Sequence, residues 1–124
     1  MKKTALKGTV RKRKASSREL ANLCVKMAEE RKAFDITVMK VKNISSIADY
    51  FVICSGRSEK HVDAIGDFIE KELKDRNIIC LRSEGIGSSR WVVKDYGDVI
   101  VHIFYHEIRQ RYSLERLWGD AEFL

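Results

Sequence analysis

Twenty-eight residues near the C-terminus, WVVKDYGDVIVHIFYHEIRQRYSLERLW (Trp91–Trp118), restrict the fold more than any other stretch. They open as a β-hairpin, Arg90 to Phe104, that turns at Asp95-Tyr96-Gly97-Asp98. Gly97 takes a positive φ there without steric cost. They close as a charged, aromatic segment that reads as helical from about His106 to Trp118, then frays. No nucleophile backed by a base, metal cage or phosphate loop is visible in them. Trp, Tyr and Arg are plentiful instead, the residue types that carry binding energy at protein interfaces. The pattern points to docking.

Upstream, Ser16 and Glu19 stand three apart as a capping box. Leu20, Leu23, Cys24, Met27 and Ala28 then mark one apolar helical stripe, running to about Lys32. Ile36–Val41 is rich in β-branched residues and predicts a strand, and Asn43–Asp49 is a polar loop. Tyr50–Cys54 is a short unbroken apolar run, as in a strand covered on both faces. Ser55-Gly56-Arg57-Ser58 turns into a second helix with Ser58 as N-cap. Val62, Ile65, Phe68, Ile69 and Leu73 form its buried stripe. Ile78–Leu81 reads as a third strand, followed by a glycine- and serine-rich stretch, Glu84–Ser89. The order α-β-β-α-β-β-β-α predicts an α/β fold with a mixed sheet of about five strands packed with helices, and the helix after strand two implies a parallel crossover. Neither proline nor an internal repeat suggests a second domain.

At 124 residues the chain is one domain, able to bury roughly two thirds of its unfolded surface. The net charge of +6 is unevenly spread. Seven Lys or Arg and no acid lie in residues 1–15, which leaves 17 basic against 18 acidic residues in residues 16–124. The reading is a basic, disordered arm at 1–15 and a nearly neutral domain at 16–124. Such an arm either aids solubility or meets nucleic-acid phosphates, with Lys12, Arg13 and Lys14 as candidate RNA contacts. An organellar presequence is a third reading of it. No apolar run is long enough to span a membrane, and the N-terminus lacks the core of a secretion signal. Cys24, Cys54 and Cys80 read as reduced core thiols of a cytoplasmic protein.

Each candidate for chemistry has a plainer alternative. His102 and His106 have HxxxH spacing, but His102 falls inside a strand and no third ligand is near, so no metal is expected. Ser55–Ser58 sits where helix amides hold anions, yet lacks the spacing and lysine of a triphosphate loop. Asp95 and Asp98 flank a turn, a place Asp favours for its own backbone bonding. Alternation sets Arg90, Val92 and Lys94 on one strand face, with Trp91, Val93 and Asp95 on the other. Trp91 is either core or interface on this pattern. Tyr96, at the turn tip, has no evident core to enter and reads as interfacial. In the last segment, apolar Ile108, Leu114, Leu117 and Trp118 face either the sheet or a second copy.

Trp91-x-x-x-Asp95-x-Gly97-Asp98-Val99-x-Val101-His102, then Arg109-x-x-Tyr112-x-Leu114-Glu115-x-Leu117-Trp118, resembles the ribosomal silencing factor family, also called Iojap-like proteins. Ala48–Gly56, His61-Val62 and Glu84-Gly85 fit the same family, and the resemblance covers residues 17–120. It implies a translational repressor that is not an enzyme and needs no cofactor. Such a protein binds the large ribosomal subunit at its intersubunit face, through ribosomal protein fourteen of that subunit. It thereby blocks joining of the small subunit when nutrients are scarce. The family fold is similar to a nucleotidyltransferase core, but the catalytic Gly-Ser and Asp-x-Asp signature is missing here. By matching position, Trp91, Asp95, Tyr96 and Asp98 are expected to make the ribosomal contact, with Glu84 and Arg90 at its rim. A free homodimer is compatible with the resemblance. A relic nucleotide-using transferase and an RNA-binding ribosome-assembly accessory protein are the alternative readings.

Overall fold

A computed structural model describes residues 16–44, 46–85, 90–109 and 121–124. Helix α1 (Ser17–Glu30) starts on the expected capping box: Glu19 N–H donates to Ser16 Oγ at 3.1 Å and Ser16 N–H to Glu19 Oε1 at 2.9 Å. Its buried face is Leu20, Ala21, Cys24, Met27 and Ala28. Strands β1 (Phe34–Lys40) and β2 (Tyr50–Gly56) follow, then helix α2 (Glu59–Lys74), β3 (Arg82–Glu84), β4 (Trp91–Asp95) and β5 (Val99–Tyr105). A 3-10 turn, His106–Ile108, and a two-residue strand β6 (Glu122–Phe123) complete the described elements. The helix expected over His106–Trp118 lies outside the described residues beyond Arg109.

Among the described residues the sheet has six strands, in the order β3-β4-β5-β2-β1-β6. The additional strand is β6, antiparallel to Met39 and Lys40 of β1. The expected parallel crossover exists, but it joins β2 to β5, not β2 to the next strand. Every residue of β2 is buried, which is why its sequence runs unbroken instead of alternating. Both helices pack on one face, over Tyr50, Val52, Cys54, Val92, Val101 and Ile103. The opposite face carries a second buried cluster that includes Met39, Phe51, Ile53, Ile100, Phe104 and Ile108.

The strand expected at Ile78–Leu81 is displaced to Arg82–Glu84. Helix closure is the reason. Asn77 adopts φ +65°, and Ile78 N–H returns to the Leu73 carbonyl at 2.8 Å, the C-terminal turn of a Schellman motif. The backbone of Ile78 is thus spent on α2, while Ile79 and Leu81 stand 58% and 70% exposed. Cys24 and Cys54 are core thiols, pushed up to about 12 by burial. Cys80 is only half-buried, and its Sγ donates to the Arg82 carbonyl at 3.1 Å.

Candidate functional site

The hairpin registers Trp91 against Phe104, Val93 against His102 and Asp95 against Ile100. The odd-numbered residues of β4 therefore share the face away from the helices. From β3 the same face receives Arg82, opposite Asp95, and Glu84, opposite Val93. The result is a strip of Glu84, Trp91, Val93, Asp95 and Arg82 along the sheet margin, with His102 and Phe104 beneath it.

Trp91 is half-buried. Its ring stacks on Phe104, centroids 5.0 Å apart, and its indole N–H donates to His102 Nδ1 at 3.1 Å. His102 also meets Phe51 edge-on at 4.9 Å. With Nδ1 accepting, the imidazole proton sits on Nε2, which has no hydrogen-bond partner among the described residues. Burial lowers the His102 pKa to about 4, opposed in part by the charge of Asp95. The HxxxH pair is split: His106 belongs to the 3-10 turn and packs on Tyr105 at 5.0 Å.

Asp95 is half-buried, and its Oδ1 accepts the Gly97 N–H at 2.8 Å. Gly97 has φ +88°, as its place in the turn requires. Asp98 is exposed, and its carbonyl accepts N–H groups from Asp49 at 2.8 Å and Tyr50 at 3.1 Å. Glu84 is exposed and paired with Arg82 at 3.4 Å. Arg90 is exposed and paired with Glu59 of α2 at 3.7 Å. Trp91 and Asp95 lie about 13 Å apart along the strand, so the candidates form a strip and not a compact patch at the bend.

Tyr96 does not belong to this surface. It is 8% exposed and joins the core under the helices, its pKa pushed up by burial. The cause is the alternation that separates Trp91 from Val92: positions 92, 94 and 96 continue on the helix side. Lys94, two residues on from Val92, follows the same rule and is 1% exposed. Its Nζ donates to Glu70 Oε1 at 2.7 Å and Ser83 Oγ at 2.8 Å. Gly66 of α2 makes room for its stem, since a Cβ there would stand 3.1 Å from Lys94 Cε.

The Ser55–Ser58 turn is occupied by the protein itself. Arg57 N–H donates to His61 Nδ1 at 2.9 Å, and His61 Nε2–H donates to the Arg31 carbonyl at 2.6 Å. The Arg57 guanidinium reaches the Lys32 carbonyl at 3.1 Å, and Ser58 Oγ takes the His61 N–H at 3.0 Å. These bonds tie the end of α1 to the start of α2 and consume donors that an anion would need. Lys12, Arg13, Lys14 and the Tyr112–Trp118 part of the motif lie outside the described residues.

The fold is that of a small α/β protein built on one mixed sheet, with an aromatic and acidic strip at its margin. Residues 14–123 match the family model described as ribosomal silencing factor during starvation, and the chain belongs to that family. It is 44% identical over 106 residues to the ribosomal silencing factor RsfS of Halalkalibacterium halodurans, covering 86% of this chain and 91% of that one. A crystal structure of a Chromobacterium violaceum protein superposes with a TM-score of 0.82 at 30% identity, over 85% of this chain and 88% of the other. A mouse relative named mitochondrial assembly of ribosomal large subunit protein 1 is 33% identical over 105 residues, covering 82% of this chain and 46% of that protein.

Proposed function

We propose that this protein is a cytoplasmic regulatory factor, not an enzyme, that silences translation by occupying the intersubunit face of the large ribosomal subunit. In this reading it grips ribosomal protein fourteen of that subunit, blocks joining of the small subunit, and acts mainly when nutrients are scarce. Membership of the silencing-factor family supports the ribosomal role, and the name of the mouse relative supports the large subunit as the partner. No helix among the described residues is long and apolar enough to cross a membrane.

The observation that carries the reading is the strip itself. Trp91 offers a rigid, half-buried aromatic, Asp95 and Glu84 bring carboxylates suited to a basic ribosomal protein, and exposed Asp98 stands beyond the strip in the turn. Arg90 remains at the rim. Tyr96 leaves the contact set because it is buried. The arm at 1–15 precedes the domain at 16–124 and, through Lys12, Arg13 and Lys14, adds a salt-sensitive contact to neighbouring ribosomal RNA.

Co-sedimentation with purified large subunits tests the proposal. Trp91→Ala should weaken binding by about 2 kcal/mol or more while the variant stays folded. The exposed reversals Asp98→Lys and Glu84→Lys should weaken it without touching the core. Deleting residues 1–15 should leave most of the affinity. Wild-type binding by Trp91→Ala, Asp98→Lys and Glu84→Lys alike would remove the site. Loss of binding confined to the arm deletion would favour an RNA-binding accessory protein instead.

A further inference from the structure

Strand β3 is three residues long, Arg82-Ser83-Glu84, and lies at the sheet margin with β4 as its one sheet neighbour among the described residues. None of the three favours a strand, and no alternation of apolar side chains tells β3 which residue to set against which on β4. Its register already gives way at one end. Leu81 N–H donates to the Asp95 carbonyl at 2.7 Å, although Asp95 is registered opposite Arg82, so two consecutive residues meet one partner as in a β-bulge. The strip depends on that register. A slip of one residue would turn Arg82 and Glu84 to the helix side and bring Ser83 to the face of Trp91.

Lys94 carries the information that β3 lacks. Ser83 stands directly opposite it, and the buried ammonium donates to Ser83 Oγ at 2.8 Å and to Glu70 Oε1 of α2 at 2.7 Å. A buried ion pair of this kind adds little net stability, because desolvation offsets the attraction, and its best-attested use is to select one register. The selection here is chemical. With Arg82 opposite Lys94, two cations would share a buried site. With Glu84 opposite, two carboxylates would crowd one ammonium beside Glu70. Leu81 or Gly85 would bring no side-chain acceptor at all. Ser83, small and neutral, completes the ammonium without adding charge. We propose that Lys94 is a positioning residue of the docking strip: its bridge from Glu70 to Ser83 fixes the register of β3 on β4 and thereby holds Glu84 on the contact face. The inference rests on the docking reading proposed above. It assigns control of a surface carboxylate to a lysine that is itself out of a partner's reach.

The full-length protein is titrated against purified large subunits as wild type, Trp91→Ala, Glu84→Ala, Lys94→Met, and Lys94→Met with Glu84→Ala. The isosteric pair Ser83→Thr and Ser83→Val completes the set. Urea unfolding checks each fold, and NMR reads the register from cross-strand contacts of residues 82–84 with residues 93–95. Lys94→Met and Ser83→Val are expected to lose the native Ser83–Lys94 contacts and keep the unfolding midpoint. Each should weaken binding by the same factor as Glu84→Ala, about threefold or more. Ser83→Thr, which keeps the hydroxyl, should keep register and affinity. The double variant should bind no worse than Glu84→Ala, since both changes remove one contact, whereas a purely structural role would add its own loss. An intact register in Lys94→Met and Ser83→Val overturns the positioning role, and so do additive losses. Wild-type affinity in both, or in Glu84→Ala, beside a defective Trp91→Ala also overturns it and leaves the docking reading standing. Wild-type affinity in Trp91→Ala and Glu84→Ala alike overturns the docking reading itself.

Discussion

The indole N–H of Trp91 donates to Nδ1 of His102 across the β4–β5 hairpin, at 3.1 Å. This bond makes the proposed docking aromatic part of the sheet's own polar accounting, since it satisfies a buried acceptor and fixes the imidazole tautomer.

A pH dependence follows. Burial lowers the His102 pKa from 6.5 to about 4. Between those values the unfolded chain binds more protons than the folded one, so stability rises with pH across the window. The His102 contribution is complete above 6.5 and falls away as pH drops toward 4, by about 3 kcal/mol in all. Urea unfolding from pH 4 to 7.5 should show this slope. His102→Asn keeps an acceptor near the Nδ1 position but cannot titrate, so it should flatten the slope by nearly one proton. Identical slopes in both proteins would end the argument.

Lys94 presents the opposite case, a buried charge that is paired. Lys94→Met replaces the ammonium with an apolar stem of similar length and should leave stability within about 1 kcal/mol of wild type. Glu70→Ala leaves the ammonium buried with Ser83 as its remaining described partner and should cost more, about 1–2 kcal/mol. The cost stays moderate because the Glu70 side chain is 44% exposed and water takes up part of its role. In the double variant most of the Glu70→Ala cost should vanish, a coupling that urea midpoints of the four proteins would measure.

Two glycines with the same backbone sign should respond differently to alanine. Gly85 has φ +86°, and a Cβ there would lie 1.9 Å from the Trp91 carbonyl oxygen, so the strand itself must shift. Gly97 has φ +88°, but its Cβ would meet only the Leu81 side chain, at 3.4 Å. Gly97→Ala should cost about 1 kcal/mol, the backbone term alone. Gly85→Ala should cost about 2 kcal/mol or more and also weaken subunit binding, because it displaces Trp91. Equal losses of melting temperature would contradict the distinction.

Local signals carried much of this architecture. The Ser16–Glu19 box, the unbroken Tyr50–Cys54 run and the Arg90–Phe104 hairpin each depend on neighbours within a few residues. Tyr96 reads as interfacial at the turn tip yet is buried, because the period of two that sorts Trp91 from Val92 extends to it. Other features depend on partners far along the chain. Lys94 reads as a surface lysine until Glu70, 24 positions away, is folded against it. β3 is Arg82-Ser83-Glu84, with no strand signature, and exists because β4 offers it an edge. The apolar Ile78–Leu81 segment has the composition of a strand, but closing α2 claims its first amide. Leu81 then remains in water, a position that apolar patterning does not anticipate.

Arg109 belongs to that long-range class, and its role is sharply testable. Its guanidinium donates to Ser55 Oγ at 2.9 Å, to Thr37 Oγ1 at 3.2 Å and to the Asp35 carbonyl. Asp35 presents that carbonyl from a left-handed conformation, φ +50°, where the β1–β2 register slips between Phe34 and Thr37. One side chain thus ties the turn after β5 across β2 to β1. A lysine has one compact ammonium and no planar fork, so it cannot reproduce three divergent bonds. Arg109→Lys should therefore cost about 1.5–3 kcal/mol in urea unfolding, the range for hydrogen bonds to a charged group. Asp35→Gly keeps the carbonyl and relieves the left-handed backbone, so it should stay within about 1 kcal/mol of wild type. If Arg109→Lys proves neutral while Asp35→Gly destabilises, the bulge stands by itself and the arginine is not what holds the two strands in register.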